Sequence, residues 1–202
     1  PTNTILTITL GSETTIVSGA TIDPALAVTD VLGNADATVA PVAISDTAKP
    51  TVTATATPNP TGAGVVTVTA TFSEAMKTGV SPVVTVTDLA GDDYTVTQSS
   101  YTGTTWIGTF TVVDGNENAT GNISITTAED LAGNAMNANA TAGTIAVDTL
   151  NPELDTVVWA DVDGSTAISG TDTLTLTFSE AMDTTTLTTD NSVTLASDLG
   201  LS

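Results

Sequence analysis

Six consecutive residues occur twice in this chain. Thr71-Phe72-Ser73-Glu74-Ala75-Met76 returns as Thr177-Phe178-Ser179-Glu180-Ala181-Met182, an offset of 106 positions (178 − 72). Two further pairs keep nearly that spacing. Asp30-Val31-Leu32-Gly33-Asn34 matches Asp130-Leu131-Ala132-Gly133-Asn134 at an offset of 100, and Asp46-Thr47-Ala48-Lys49-Pro50 matches Asp148-Thr149-Leu150-Asn151-Pro152 at 102. Self-similarity at one period constrains the fold more than any single residue does, because each copy must form the same structural unit. The matches divide the 202 residues into a complete repeat over 48–149, the C-terminal half of a repeat over 1–47, and the N-terminal half of another over 150–202. The two partial segments together have about the length of one repeat.

Each copy reads as β-structure. Val, Thr, Ile and Ala dominate, and short runs alternate polar with apolar residues between turns rich in Gly, Pro, Asn and Asp. Seven strands are predicted in the complete copy: Thr51–Thr57, Val65–Phe72, Val83–Thr87, Tyr94–Gln98, Trp106–Val113, Ile123–Thr127 and Thr144–Val147. The first segment adds Ile5–Leu10, Leu26–Thr29 and Val39–Ser45, and the last adds Leu154–Ala160, Leu174–Phe178 and Val193–Ala196. Met76–Val80 allows one helical turn at most. Strands this short, with a turn about every ten residues, predict an all-β sandwich and not a parallel α/β sheet. Phe72, Phe178, Met76, Met182 and Trp106 are the expected core anchors.

Charge and missing residue types exclude several classes of function. There are 23 acidic residues, two lysines (Lys49 and Lys77), no His and no Cys, for a formal charge of −21. Such a surface repels nucleic-acid phosphates and acidic membranes. Without His or Cys, zinc, haem and iron–sulfur sites lack their usual ligands, and Ser-His-Asp or Cys-His catalysis lacks its base. Oxygen ligands for a hard cation remain. No apolar run is long enough to span a bilayer. The acids lie in turns and recur from copy to copy, so we expect no enzymatic activity.

The motifs Phe72-Ser73-Glu74-Ala75-Met76, Asp130-Leu131-Ala132-Gly133-Asn134 and the link Asp46/Pro50 with Asp148/Pro152 resemble those of the immunoglobulin-like repeats of bacterial and archaeal surface adhesins and S-layer proteins. The resemblance covers the whole chain, as one full and two partial copies. It implies a Greek-key sandwich of about seven strands per repeat, an extracellular or cell-surface location, and a structural role in a stalk, coat, filament or adhesive array. It also implies partners that are neighbouring repeats or other copies of the chain. A module that binds glycans or a receptor is the alternative reading.

That topology brings acids together. Strands running alternately away from and back to the incoming link place Glu74, Asp130, Asn134 and Asp46 at one pole. Calcium takes six to eight oxygens from flexible loops, so a Ca2+ site is expected there. The corresponding ligands at the next junction would be Asp148 and Glu180, and the first segment would offer Asp30 and Asn34. The same Asp-x-x-Gly-Asn residues also suit an Asx-type turn with no metal. The acids of the opposite pole (Asp88, Asp92, Asp93, Asp114 and Glu117) read as solvated loop residues. Three Asn-x-Ser/Thr sequons, at Asn118, Asn122 and Asn139, are candidate glycosylation sites. Head-to-tail completion of one copy's C-terminal half-repeat by another copy's N-terminal half is a further expectation, since half a sandwich leaves an apolar face bare.

Overall fold

The computed structural model describes residues 20–22, 29–35, 42–89, 92–166, 168–183 and 185. The expected strands Ile5–Leu10 and Val193–Ala196, and most of Leu26–Thr29, lie outside them. The chain divides into two compact units, Pro1–Thr149 and Leu150–Ser202. Among the described residues all regular structure is strand.

The first unit begins with β1 (Thr21–Ile22) and β2 (Val42–Ala43), a short antiparallel pair. Two four-stranded antiparallel sheets follow. One has the order β3 (Val52–Thr57), β4 (Gly64–Phe72), β8 (Thr105–Val112), β7 (Thr97–Thr102). The other has the order β10 (Asn139–Asp148), β9 (Asn118–Thr126), β5 (Val83–Leu89), β6 (Asp92–Thr95). This arrangement is compatible with a β-sandwich. The alternation seen in the sequence explains it directly. In β3 the residues Val52, Ala54 and Ala56 are buried while Thr53, Thr55 and Thr57 are exposed. In β4 the buried set is Val66, Val68, Ala70 and Phe72. A period of two sends one set inward and the other to water. On the outer face Thr53, Thr71 and Thr105 stand in register across three strands, a pairing that suits polar β-branched side chains.

One core cluster joins both sheets and includes Trp106, Phe110, Ile123, Ile125, Ile145 and Val147. Trp106 is buried, as expected, and its Nε1–H donates to Gln98 Oε1 at 2.8 Å, so the indole enters the core without stranding a donor. Two details differ from the sequence reading. The single strand expected over Tyr94–Gln98 is split at the buried Val96, where the chain leaves one sheet as β6 and enters the other as β7. And Met76–Val80 forms no helix; one turn closes there through Val80 N–H and Lys77 O at 2.9 Å. The last strand is also longer than expected, because β10 starts at Asn139 and passes an irregularity before Gly143.

Gly143 lets the two sheets meet along β3. A Cβ at that position would lie 2.2 Å from the Ala54 carbonyl oxygen, so only glycine allows this approach. At the two ends of the same seam Asn139 Nδ2 donates to Val52 O at 3.2 Å, and Thr61 N donates to Ala146 O at 3.0 Å.

The second unit contains β11 (Leu154–Ala160) and β12 (Thr173–Phe178), an antiparallel pair. Apart from an irregularity between Leu154 and Thr156, its register repeats that of β3 and β4. Leu154 faces Phe178 as Val52 faces Phe72, and Trp159 faces Leu174 as Ala56 faces Val68. Burial does not follow. Met76 is 2% exposed whereas Met182 is 38% exposed, and Phe178 is only half-buried. This corrects the expectation that Met182 packs in a core. The described residues of this unit hold one hairpin, and a methionine can be buried only where a second layer faces it.

These placements fix the expected stabilities. Phe72→Ala should lower the unfolding free energy of the first unit by about 3–5 kcal/mol and Met76→Ala by about 2–5 kcal/mol in urea melts. Met182→Ala should change little. Gly143→Ala should destabilise strongly, while Gly79→Ala, whose added Cβ meets open space, should be nearly neutral.

Candidate metal centre at the linker pole

The pole is assembled around Asp130. In the turn Asp130–Asn134, Gly133 has φ +97°, a conformation that favours glycine. Asp130 Oδ1 accepts the Asn134 backbone N–H at 2.7 Å, and Oδ2 accepts Asn134 Nδ2 at 2.8 Å. Asn134 Nδ2 also donates to the Asp46 carbonyl at 3.2 Å, which ties the incoming link to the turn. On the other side, Lys77 N donates to Glu129 O at 2.8 Å and Leu131 N to Ala75 O at 3.2 Å. This short ladder, with Met76 bridged to Asp130, carries Glu74 alongside the buried carboxylate. Ser73 secures the other end: its Oγ accepts Thr51 N–H at 2.9 Å, and its own N–H donates to Thr51 O at 3.0 Å.

Three segments far apart in sequence therefore converge. One carboxylate oxygen each from Asp46, Glu74 and Asp130 lie within 4.8 Å of one another. Two charges at that separation repel by on the order of 3 kcal/mol at the effective dielectric near a protein surface. Neither lysine relieves the trio, since Lys77 Nζ pairs with Glu129 at 2.9 Å and Lys49 Nζ donates to Asn137 at 3.0 Å. The two central acids respond in opposite directions. Glu74 titrates above its ordinary value, chiefly because it is desolvated and then because Asp130 and Asp46 are near. For Asp130, burial pushes upward, but the donors from Asn134, Gly133 and Ala132 outweigh it and hold the carboxyl below the usual range. Asp130 thus favours its charged form, and Glu74 is the member that resists ionisation.

The residues fit a hard cation. Each Asp130 oxygen accepts a hydrogen bond from Asn134 and has further lone-pair capacity, Glu74 receives no hydrogen bond among the described residues, and Asp46 uses Oδ1 for the Ala48 N–H at 2.9 Å. Asn134 sits in this group as a donor that orients Asp130 and the link.

The other expected ligands are placed differently. Asp30 and Asn34 form the same turn as Asp130 and Asn134, with Asn34 N to Asp30 Oδ1 at 2.8 Å and Asn34 Nδ2 to Oδ2 at 2.8 Å, but both are exposed. These bonds, Asn34's side chain first, lower the Asp30 pKa. Asp148 lies in the first unit, exposed at the end of β10, and Glu180 in the second, where its Oε1 is buried without a hydrogen-bond partner among the described residues. Of the sequons, Asn118 is exposed. Asn122 Nδ2 is bonded to Asp88 at 2.7 Å, and Asn139 Nδ2 to Val52 O, so a glycan on either would disturb an existing bond.

A second acidic group escaped the sequence reading. One oxygen each from Asp161, Asp163 and Asp172 also lie within 4.8 Å of one another. Its signal was the Asp161-Val162-Asp163-Gly164 spacing. These oxygens serve their own loop: Asp161 accepts Gly164 N and Thr166 N, Asp163 accepts Ser165 N, and Asp172 accepts Val162 N and Ser169 N. Such bonds hold Asp163 well below the ordinary carboxylate range, the Ser165 contacts dominating, and lower Asp172, the Ser169 backbone first.

Comparison of the chain with known protein families, with characterised proteins and with solved structures finds no match.

The opposed titrations give opposite mutant signs. In chelator at neutral pH, Glu74→Gln should stabilise the first unit, and the wild type should gain stability as pH falls toward the raised Glu74 pKa. Asp130→Asn should destabilise at neutral pH, because its depressed pKa contributes stability above the unfolded value that is lost as pH falls through the folded one. Thermal melts from pH 8 down to about pH 2 check both signs.

Proposed function

We propose that this chain is a structural segment of an extracellular surface layer, adhesin stalk or filament, built of tandem immunoglobulin-like repeats with Greek-key connections. In this reading the repeats set distance and stiffness and carry no catalysis. Their partners are neighbouring repeats and other copies of the chain. The observation that carries the proposal is the convergence of Asp46, Glu74 and Asp130 at the point where a repeat receives its link. A spacer needs its joints fixed, and here the joint residue Asp46 touches both the 130–134 turn and the acidic trio.

Calcium is the cation we assign to that joint. Asp46, Glu74 and Asp130 would hold it, and Asn134 would orient Asp130. When bound, the ion supplies the positive charge that offsets the mutual repulsion, and the link can then no longer swing away from the turn. Only Lys49 separates the Asp46-Thr47-Ala48 stretch from Pro50, so the link is too short to act as a free tether. The formal charge of −21 keeps an array of such units soluble and able to retain cations.

Ligand linkage gives the test. Calcium at about 100 times its dissociation constant should stabilise the first unit by about 2.7 kcal/mol over EGTA. The shift should vanish in Glu74→Gln and persist in Asp163→Asn. Identical melts in calcium and EGTA would leave the acidic trio as turn chemistry alone.

A further inference from the structure

The first unit holds its outgoing link at a site of its own. Thr149, the last residue of that unit, is buried. Its backbone N–H donates to Glu117 O at 2.7 Å. Its hydroxyl oxygen accepts two backbone N–H groups, from Gly115 at 3.3 Å and from Glu117 at 3.0 Å, and donates to Glu117 O at 3.4 Å. Asn116, between those two amides, has φ +51°, and its own N–H turns to Asp114 Oδ1 at 3.2 Å. Backbone amides around a left-handed residue form a concave acceptor site, and here a neutral hydroxyl fills it. One residue earlier, Asp148 N–H donates to Thr61 O at 2.9 Å.

The incoming link is held by different means. Asn134 Nδ2 binds the Asp46 carbonyl at 3.2 Å, and the Asp46 carboxylate belongs to the acidic trio. That grip sets like charges together, so a cation strengthens it. The grip on Thr149 uses no charge, although it lies between Asp148 and the loop that carries Asp114 and Glu117. In both links Asp precedes Thr, as Asp46-Thr47 and Asp148-Thr149. The link residue that a repeat grips on entry thus comes before the one that it grips on exit. Thr47 is exposed, and the residues that correspond to 115–117 in its repeat lie outside the described ones.

We propose that the 115–117 loop is a binding site for the outgoing link, with Thr149 as the residue that positions it, and that this clasp closes with or without a cation. A link then has two unlike grips on adjacent residues, one electrostatic and one neutral. Calcium governs only the first. When the cation leaves, the link stays with the repeat that it ends and loosens from the repeat that it enters, so the joint becomes a hinge on its entry side. That last consequence rests on the calcium joint proposed above; the clasp itself does not.

Amide hydrogen exchange, read by NMR on the full chain in calcium and in EGTA, tests the clasp. In the wild type the Glu117 and Thr149 amides should be protected, at rates that agree within about twofold between the two conditions. Thr149→Val keeps the shape of the side chain and removes the hydroxyl. The Glu117 amide should then exchange about tenfold faster, the factor that one such hydrogen bond is worth, and Thr149→Ser should restore its protection. The amides of Val68 and Ile123, inside the two sheets, should not change. Unaltered exchange at Glu117 in Thr149→Val would overturn the proposal. So would equal acceleration at Val68 and Ile123, because the hydroxyl would then serve global stability alone. A wild-type Glu117 amide protected in calcium but free in EGTA would overturn it too, since the outgoing link would then depend on the cation. Melts of the same samples judge the calcium joint separately: a chain with no calcium shift and a protected Glu117 amide loses that joint and keeps the clasp.

Discussion

A buried carboxylate whose hydrogen-bond donors favour its charged form governs the first unit's linker pole. Asp130 is almost wholly out of water, and an ionised acid survives there only if donors surround it. Asn134 provides them twice, from its backbone and its side chain. The same amide reaches the Asp46 carbonyl, so one side chain serves the turn, the charge and the link together. Everything that positions Glu74 follows from this, because the ladder through Ala75, Met76 and Lys77 runs beside the Asp130 turn. Loss of the Asp130 charge would loosen more than a turn.

Away from that pole the fold relies on small β-branched side chains. The chain has few aromatics, and its layers are held by Val, Ile and Ala from strands of alternating pattern. Small inward residues bring the sheets close, and at Gly143 against Ala54 there is no room for a Cβ. A core of this kind has few large side chains whose loss could be absorbed by repacking, which makes Phe72, Met76 and Trp106 disproportionately important.

Much of this is legible from residue order. Alternation in Val52–Thr57 and Gly64–Phe72 has one structural solution, and the expected strands there end within a residue or two of the observed ones. The convergence of Asp46, Glu74 and Asp130 follows from counting strand directions. The break at Val96 is not legible, because an apolar residue between two sheets carries the same local pattern as one inside a strand. Nor is the exposure of Met182, whose sequence surroundings match those of Met76; what differs is the layer opposite, which local sequence does not encode. The Asp161–Asp172 group is hidden because Asp172 joins it from across a loop. Ser73 reads only as part of a motif, although it and Ser179 each lock the residue that precedes the paired strand, Thr51 and Glu153 respectively.

The seam between β3 and β10 has a mechanical meaning. The two strands run side by side in the same direction, joined by Asn139 to Val52 at one end and by the parallel bridge of Thr61 with Val147 at the other. Between them the Asn59 side chain donates to Thr144 O and accepts from Ala146 N. β3 opens the stretch and β10 closes it, so tension along the chain pulls these neighbours past each other. Hydrogen bonds loaded in that direction share the force and must break together, whereas an antiparallel hairpin pulled from its open end parts one bond at a time. The seam is therefore a shear clamp: a pull on the chain meets its strongest resistance at the first and last strands, before any of the core is exposed.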